Sequence, residues 1–175
     1  MPETTSPMDL CDAQAREAQD REVQDEDLPF LFELYCDVRG PEVSAWGWPQ
    51  VQRDAFLRMQ FDAQRRSYQA AFPDAIHHIV MTDGQAVGRR LAARTGEGIL
   101  LVDIALLASH RNRGIGARLI QELMDGCRRD GSALCLQVLR GNPALRLYQR
   151  MGFIETGADE MYIQMAWKPE SGPTA

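Results

Sequence analysis

The chain offers two places where residue type and spacing can do chemistry. The first is the turn Arg111-Asn112-Arg113-Gly114-Ile115-Gly116-Ala117, set between an apolar run (Ile99 to Leu107) and a strongly periodic amphipathic segment. A strand, a glycine turn and a helix N-terminus in that order make an anion seat. Free backbone N–H groups converge there, and the helix dipole adds to them. Gly114 and Gly116 allow an anion to approach with no Cβ in the way. The second place is Asp103, the one carboxylate inside the apolar run. An unpaired carboxylate is costly to bury, so Asp103 needs either a chemical task or a cationic partner such as Arg89 or Arg90.

The anion at the turn can be narrowed. A nucleoside-triphosphate loop needs GxxxxGK[ST], and the chain's only lysine is Lys168. A dinucleotide fingerprint needs a third glycine, and Leu119 stands in its place. A third design, [Q/R]-x-x-G-x-[G/A] at a strand-to-helix turn, is met at every fixed position by Arg111 to Gly116.

The elements that must position these residues follow from pattern. Ala18 to Val23 reads as a weak first strand. A helix begins at Asp27-Leu28-Pro29, with Asp27 as N-cap, carries the stripe Phe30, Leu31, Leu34, Tyr35 and Val38, and stops near Gly40-Pro41. A loop with Trp46-Gly47-Trp48 follows. The two tryptophans read as packed under that loop onto the core, with a pocket wall as the other reading. Gln50 to Ala71 reads as a helix burying Val51, Ala55, Phe56, Met59, Ala63 and Tyr68, with Asp54/Arg58 and Asp62/Arg66 as solvated i,i+4 pairs. Ile76 to Thr82 and Gln85 to Thr95 flank Asp83-Gly84 as a hairpin. His77 and His78 therefore face opposite ways, as do Arg89 and Arg90, so the histidines cannot share a metal from one face.

Past Gly116, Leu119, Ile120, Leu123, Met124 and Cys127 share a helix face. Ala133 to Leu139 reads as an interior strand. Asn142-Pro143 starts a short helix with Asn142 as cap. Ile154 to Thr156 and Glu160 to Trp167 close the order (β)ααβββαβαββ. The expected class is α/β (α+β): a mixed, mostly antiparallel sheet of six to seven strands flanked by four helices.

Composition bounds the rest. A chain of 175 residues with 45% hydrophobic content supports one domain with a real core. Residues 1–27 hold nine acidic side chains and two arginines, a net −7, so the remainder of this −6 chain is close to neutral. That balance argues against nucleic acid as the main partner, because phosphate backbones want a clustered basic face. The four cysteines form no CxxC pair or zinc spacing and read as free thiols in a reducing compartment. The N-terminus lacks a signal-type apolar segment, and no apolar run reaches membrane-spanning length. The expectation is a cytoplasmic protein with no membrane or nucleic-acid partner. Residues 1–17 read as a disordered acidic arm, 18–168 as a single domain and 169–175 as a flexible tail.

The Arg111–Gly116 turn and a second segment, Asn142-Pro143-Ala144-Leu145-Arg146-Leu147-Tyr148-Gln149-Arg150-Met151-Gly152-Phe153, together resemble the GNAT acetyltransferase superfamily, with its N…A…LY…GF signature. The resemblance covers at least Ile99 to Phe153 and extends more loosely from Asp27 to Trp167. Asn142 and Tyr148 stand six apart, where many members have seven. The resemblance implies acetyl-CoA as co-substrate, no metal, and transfer of its acetyl group to the primary amine of a small-molecule or peptide acceptor. It implies that Ile104, Ala105 and Leu106 pair with the pantetheine amides on a splayed strand. Arg111, Asn112, Arg113, Gly114, Ile115, Gly116 and Ala117 hold the pyrophosphate, and Asn142 contacts pantetheine. By the same resemblance Tyr148 is the general acid, while Asp103, from its place inside the apolar run, is a candidate to bind or deprotonate the amine directly or through water. A CoA-binding sensor or interaction module of the same fold is the alternative. A homodimer is compatible with either.

Overall fold

The computed structural model describes residues 20–170. The acidic arm of residues 1–17 and most of the C-terminal tail lie outside that range. The elements follow the expected order: β1 (Arg21–Glu22), α1 (Leu28–Ser44), α2 (Gln50–Ala71), β2 (Ile76–Thr82), β3 (Gln85–Thr95), β4 (Gly98–Leu106), α3 (Ile115–Asp130), β5 (Ala133–Leu139), α4 (Ala144–Arg150), β6 (Ile154–Ala158) and β7 (Tyr162–Trp167). They build one seven-stranded sheet in the order β1-β2-β3-β4-β5-β7-β6. Every neighbouring pair is antiparallel except β4 and β5.

Two apolar layers sandwich this sheet. Ile120, Met124 and Cys127 of α3 and Tyr148 of α4 pack with Leu134, Leu136, Phe153 and Trp167. Leu31, Tyr35 and Val43 of α1 pack with Leu57 and Phe61 of α2 and Ile79 of β2. The hairpin turn at Asp83-Gly84 has φ of 50° and 74°, the left-handed pair that a two-residue turn requires. Gly88 on β3 has a different reason to be glycine: a Cβ there would collide with the Ala105 carbonyl oxygen and the Leu106 side chain.

Several local expectations are corrected. Helix α1 does not stop at Gly40-Pro41 but runs on to Ser44. Interior Gly and Pro cost about 1 and 3 kcal/mol. Burial of Val43, 3% exposed against Leu57 and Phe61, supplies the compensating contact. Asp27 stands at the N-cap position of α1, as expected, but its side chain makes no capping bond to the helix. Its buried carboxylate instead accepts both Arg21 guanidinium nitrogens, at 2.7 and 2.6 Å, and the Gln24 N–H at 2.8 Å. Helix α2 presents a different face from the one expected: Leu57 and Phe61 are buried, whereas Val51 and Met59 are 80% and 54% exposed. Its apolar residues are scattered round the helix, so α1 selects the face that packs. Asp62 pairs with Arg65 at i,i+3 rather than with Arg66. Among the described residues Cys36, Cys127 and Cys135 are free, and no helix is long and apolar enough to cross a membrane.

Candidate active site

The site starts from a defect in the sheet. Strand β4 pairs with β5 from Gly98↔Ala133 to Leu101↔Leu136 and no further, although β4 runs on to Leu106 and β5 to Leu139. On its other edge β4 carries one extra residue: Leu91 pairs with Asp103 and Ala92 with Leu101, leaving Val102 unpaired as a bulge. Bulges bend and twist the strand that carries them. Beyond Val102, β4 follows β3 away from β5, and a wedge opens with unpaired backbone edges on both sides. Ile104 and Ala105 thus lie on the splayed edge that the GNAT resemblance calls for, and Leu106 ends it.

The wedge leads into a cavity of about 580 Å³. Its walls bring together Asp103, Ile104, Ala105, Asn142 and Tyr148 from the expected set. Helices α1 and α2 close it with Tyr35, Val38, Arg39, Gln60, Gln64 and Tyr68. Leu106 and the Arg111–Ala117 turn lie outside this cavity, beyond the C-terminal end of β4. The tryptophan loop does not reach it. Trp46 and Trp48 stack edge-to-face on each other and on Phe56, with ring centroids 5.1 to 5.5 Å apart. They pack on one another and on Phe56 but are not buried in the core, staying 45% and 41% exposed, so neither reading holds as stated.

The glycine turn has the geometry of an anion seat. Asn112 and Gly114 take φ of 59° and 80°, and Gly114 would place a Cβ in open space. Among the described residues no backbone or side-chain oxygen accepts the N–H groups of residues 112–117, and the first intrahelical bond is Arg118 N–H to Gly114 O. Arg111 does not point outward to an anion. Its Nε donates to the Leu106 carbonyl at 2.8 Å, and its Nη2 donates to Asp37 Oδ2 at 2.8 Å. The same Asp37 oxygen accepts the Ala108 N–H at 2.8 Å. Asp37 of α1 therefore latches the turn to the helix that walls the cavity. No motif marks this residue; Asp37 merely borders the apolar stripe of α1.

Asp103 and Arg89 meet across the β3–β4 pair at 2.5 Å. Arg89 is 6% exposed and also donates to Gln64 Oε1 at 2.7 Å. The pairing alternative for Asp103 is thus realised with Arg89. Arg90 faces the opposite layer and binds Glu122 of α3 at 3.0 Å. Asp103 Oδ2 is buried beside Arg89, and the side chain as a whole is 22% exposed and lines the cavity.

Tyr148 is 5% exposed and its ring packs on Phe153, centroids 5.7 Å apart. Among the described residues nothing hydrogen-bonds its hydroxyl. Burial, with the negative charge of Asp103 adding to it, pushes its pKa up to about 12, so it is a neutral phenol at physiological pH. Tyr68 is raised to about 12 by the same two causes in the same order. Asn142 Oδ1 accepts the Ala144 N–H at 2.9 Å. Pro143, not Asn142, holds the N-cap position of α4; the Asn142 side chain still accepts from the helix's first residue, and its amide nitrogen has no protein partner among the described residues. His77 is pushed down to about 4, by burial first and by Arg89 second, and is neutral. It does not line this cavity. Among the described residues no group of three or more His, Cys, Asp or Glu side chains converges on a metal position.

A bent strand parting from its parallel neighbour, with a glycine turn at the next helix, is the feature to compare with known folds. Residues 73–155 match the family model of the acetyltransferase (GNAT) domain. Solved structures agree on the fold. PaiA N-acetyltransferase from Thermoplasma acidophilum, in complex with coenzyme A, superposes with a TM-score of 0.66 at 18% identity, covering 86% of this chain and 98% of that one. A histone acetyltransferase HPA2-related acetyltransferase from Corynebacterium glutamicum gives 0.62 at 22% identity, covering 89% and 98%. An acetyltransferase from Thermus thermophilus gives 0.62 at 19% identity, covering 86% and 96%. Comparison with curated proteins finds no match. The chain has the GNAT fold.

Proposed function

We propose that this protein is an acetyl-CoA-dependent N-acetyltransferase acting on a primary amine. The observation that carries the reading is the wedge between β4 and β5, which leads into the cavity lined by Asp103 and Tyr148, with the unpaired N–H groups of residues 112–117 past the end of β4. Pantetheine is a chain of amides, and a strand edge with free backbone groups pairs with it as with an added strand. Residues 104–106 supply that edge, the Arg111–Ala117 turn takes the pyrophosphate, and the Asn142 amide meets the pantetheine arm.

Transfer is direct. The neutral amine attacks the thioester carbonyl, an N–C bond forms, and the C–S bond breaks with its electron pair leaving on sulfur. The amine loses one proton, which Asp103 receives directly or through water. Tyr148 meets the thiolate. A phenol near pKa 12 is a poor proton source for a thiol of about 8.5, so it acts as a hydrogen-bond donor while charge builds on sulfur, and solvent completes the protonation.

Two measurements test this. Calorimetry reads CoA binding, and thiol release reads turnover when acetyl-CoA is mixed with amines of different classes. Binding with release on at least one amine is the expected result. Binding with no release on any amine would favour the non-catalytic sensor, and stabilisation by ATP or NAD but not by CoA would refute both.

A further inference from the structure

The charges of the cavity deepen this reading and rest on it: we infer that the acceptor is a small amino-carboxylate, one amine and one carboxylate on the same molecule, whose carboxylate is received by Arg39. Among the described residues only three ionised side chains line the cavity: Arg39, Arg89 and Asp103. Arg89 and Asp103 cancel one another in a pair 2.5 Å apart, with Arg89 buried. Arg39 remains. Its only acidic partner among the described residues is Glu42 at 3.2 Å, an i,i+3 pair on the same helix with both side chains about half exposed. Such exposed pairs are weak and exchange readily for another carboxylate.

The position of Arg39 separates it from the cofactor end. Asp37 of the same helix points at Arg111 and the anion turn. Two residues on, at about 100° per residue, Arg39 points about 200° away from it. Its guanidinium is thus turned from the anion turn and lines the cavity instead. Neutral hydrogen-bonding groups of α2, Gln60, Gln64, Ser67 and Tyr68, line the same cavity. An amine delivered to Asp103 with a carboxylate at Arg39 satisfies both ends. A polyamine or a multiply charged aminoglycoside fits poorly. Its second ammonium meets an arginine, and no second carboxylate among the described residues lines the cavity to receive it.

The test is a panel of ω-amino acids of increasing chain length together with α-amino acids. Each is compared with its own carboxamide, and diamines and triamines are included. Each is assayed by thiol release from acetyl-CoA with the full-length protein. The expected result is that the preferred acid exceeds its carboxamide in kcat/KM by at least about 10-fold, the value of one charge-assisted bidentate contact, with polyamines below both. Arg39→Gln should cut the acid-to-amide ratio by the same factor, chiefly through KM. A polyamine as best substrate, an acid no better than its amide, or an Arg39→Gln ratio equal to wild type would each overturn the assignment. CoA binding with no turnover of any carboxylate-bearing amine overturns the acceptor class alone. Loss of CoA binding in the unaltered protein overturns the acetyltransferase reading beneath it.

Discussion

Replacing Tyr148 by Phe separates two roles that the same ring can fill. As a core aromatic, Tyr148 contributes its ring, which packs on Phe153 and lies 5% exposed. Phe keeps that ring. Among the described residues the hydroxyl has no hydrogen-bond partner to lose, so the substitution should change stability by less than about 1 kcal/mol. Its contribution to turnover is a separate quantity. With a pKa of about 12 against about 8.5 for a thiol, full proton transfer to the leaving sulfur is uphill by roughly 5 kcal/mol. What remains is one hydrogen bond to a developing thiolate, worth about 1.5–3 kcal/mol, or about 10- to 100-fold in kcat. The assay is initial-rate thiol release at saturating acetyl-CoA, with a thermal melt of the same sample. An unchanged Tm with kcat down by that factor is the expected pair of results. No alkaline limb below about pH 10 should be assignable to the tyrosine in the wild type. A kcat within about twofold of wild type would refute the role at sulfur, whatever the melt reports.

Four further outcomes are expected. Asp103→Asn should lower kcat/KM by at least about 100-fold and change its acid limb; an unchanged pH profile removes Asp103 as proton acceptor. Asp37→Ala should raise the KM for acetyl-CoA about 10-fold while kcat moves less than about twofold, because two bonds at 2.8 Å that hold the anion turn are lost. Gly88→Ala should cost more than about 2 kcal/mol in chemical denaturation, since its Cβ would collide with a backbone oxygen that cannot move without the strand. His77 is held near pKa 4 in the fold against about 6.5 in the unfolded chain, so the unfolded state binds the extra proton. Its share of stability is complete above about pH 6.5 and falls as pH drops toward 4, by about 1–2 kcal/mol once the partial exposure of the ring is allowed for. A His77→Gln variant whose Tm falls with acid as steeply as the wild type would contradict this.

The fold was legible because its signals are local and strong. Helix α3 shows a clear stripe, the Asp83-Gly84 turn is conformationally specific, and two motifs stand on the correct elements. Face selection in α2 was not legible. Its apolar residues surround the helix, and only the tertiary partner α1 determines that Leu57 and Phe61 turn inward. The end of α1 was misread for a related reason: Gly40-Pro41 is a local stop signal outweighed by the distant contact of Val43. In the site, the glycine turn, Asn142 and Tyr148 could be read as motif positions. Asp37, Arg39 and Gln64 could not, because their meaning lies in what faces them across a gap that sequence spacing does not encode.

The bulge at Val102 acts as a reading-frame setting for the whole site. Side chains alternate along a strand, so a shift of one residue in pairing exchanges the two faces. With Val102 left out of the ladder, Asp103 is paired to Leu91 and shares a face with Arg89. Were Val102 taken into the ladder opposite Leu91, Asp103 would fall opposite Arg90 and look toward α3, where Glu122 already occupies that arginine. The two adjacent arginines are thus addresses, one on each side of the sheet. A single unpaired residue decides which of them the carboxylate is delivered to.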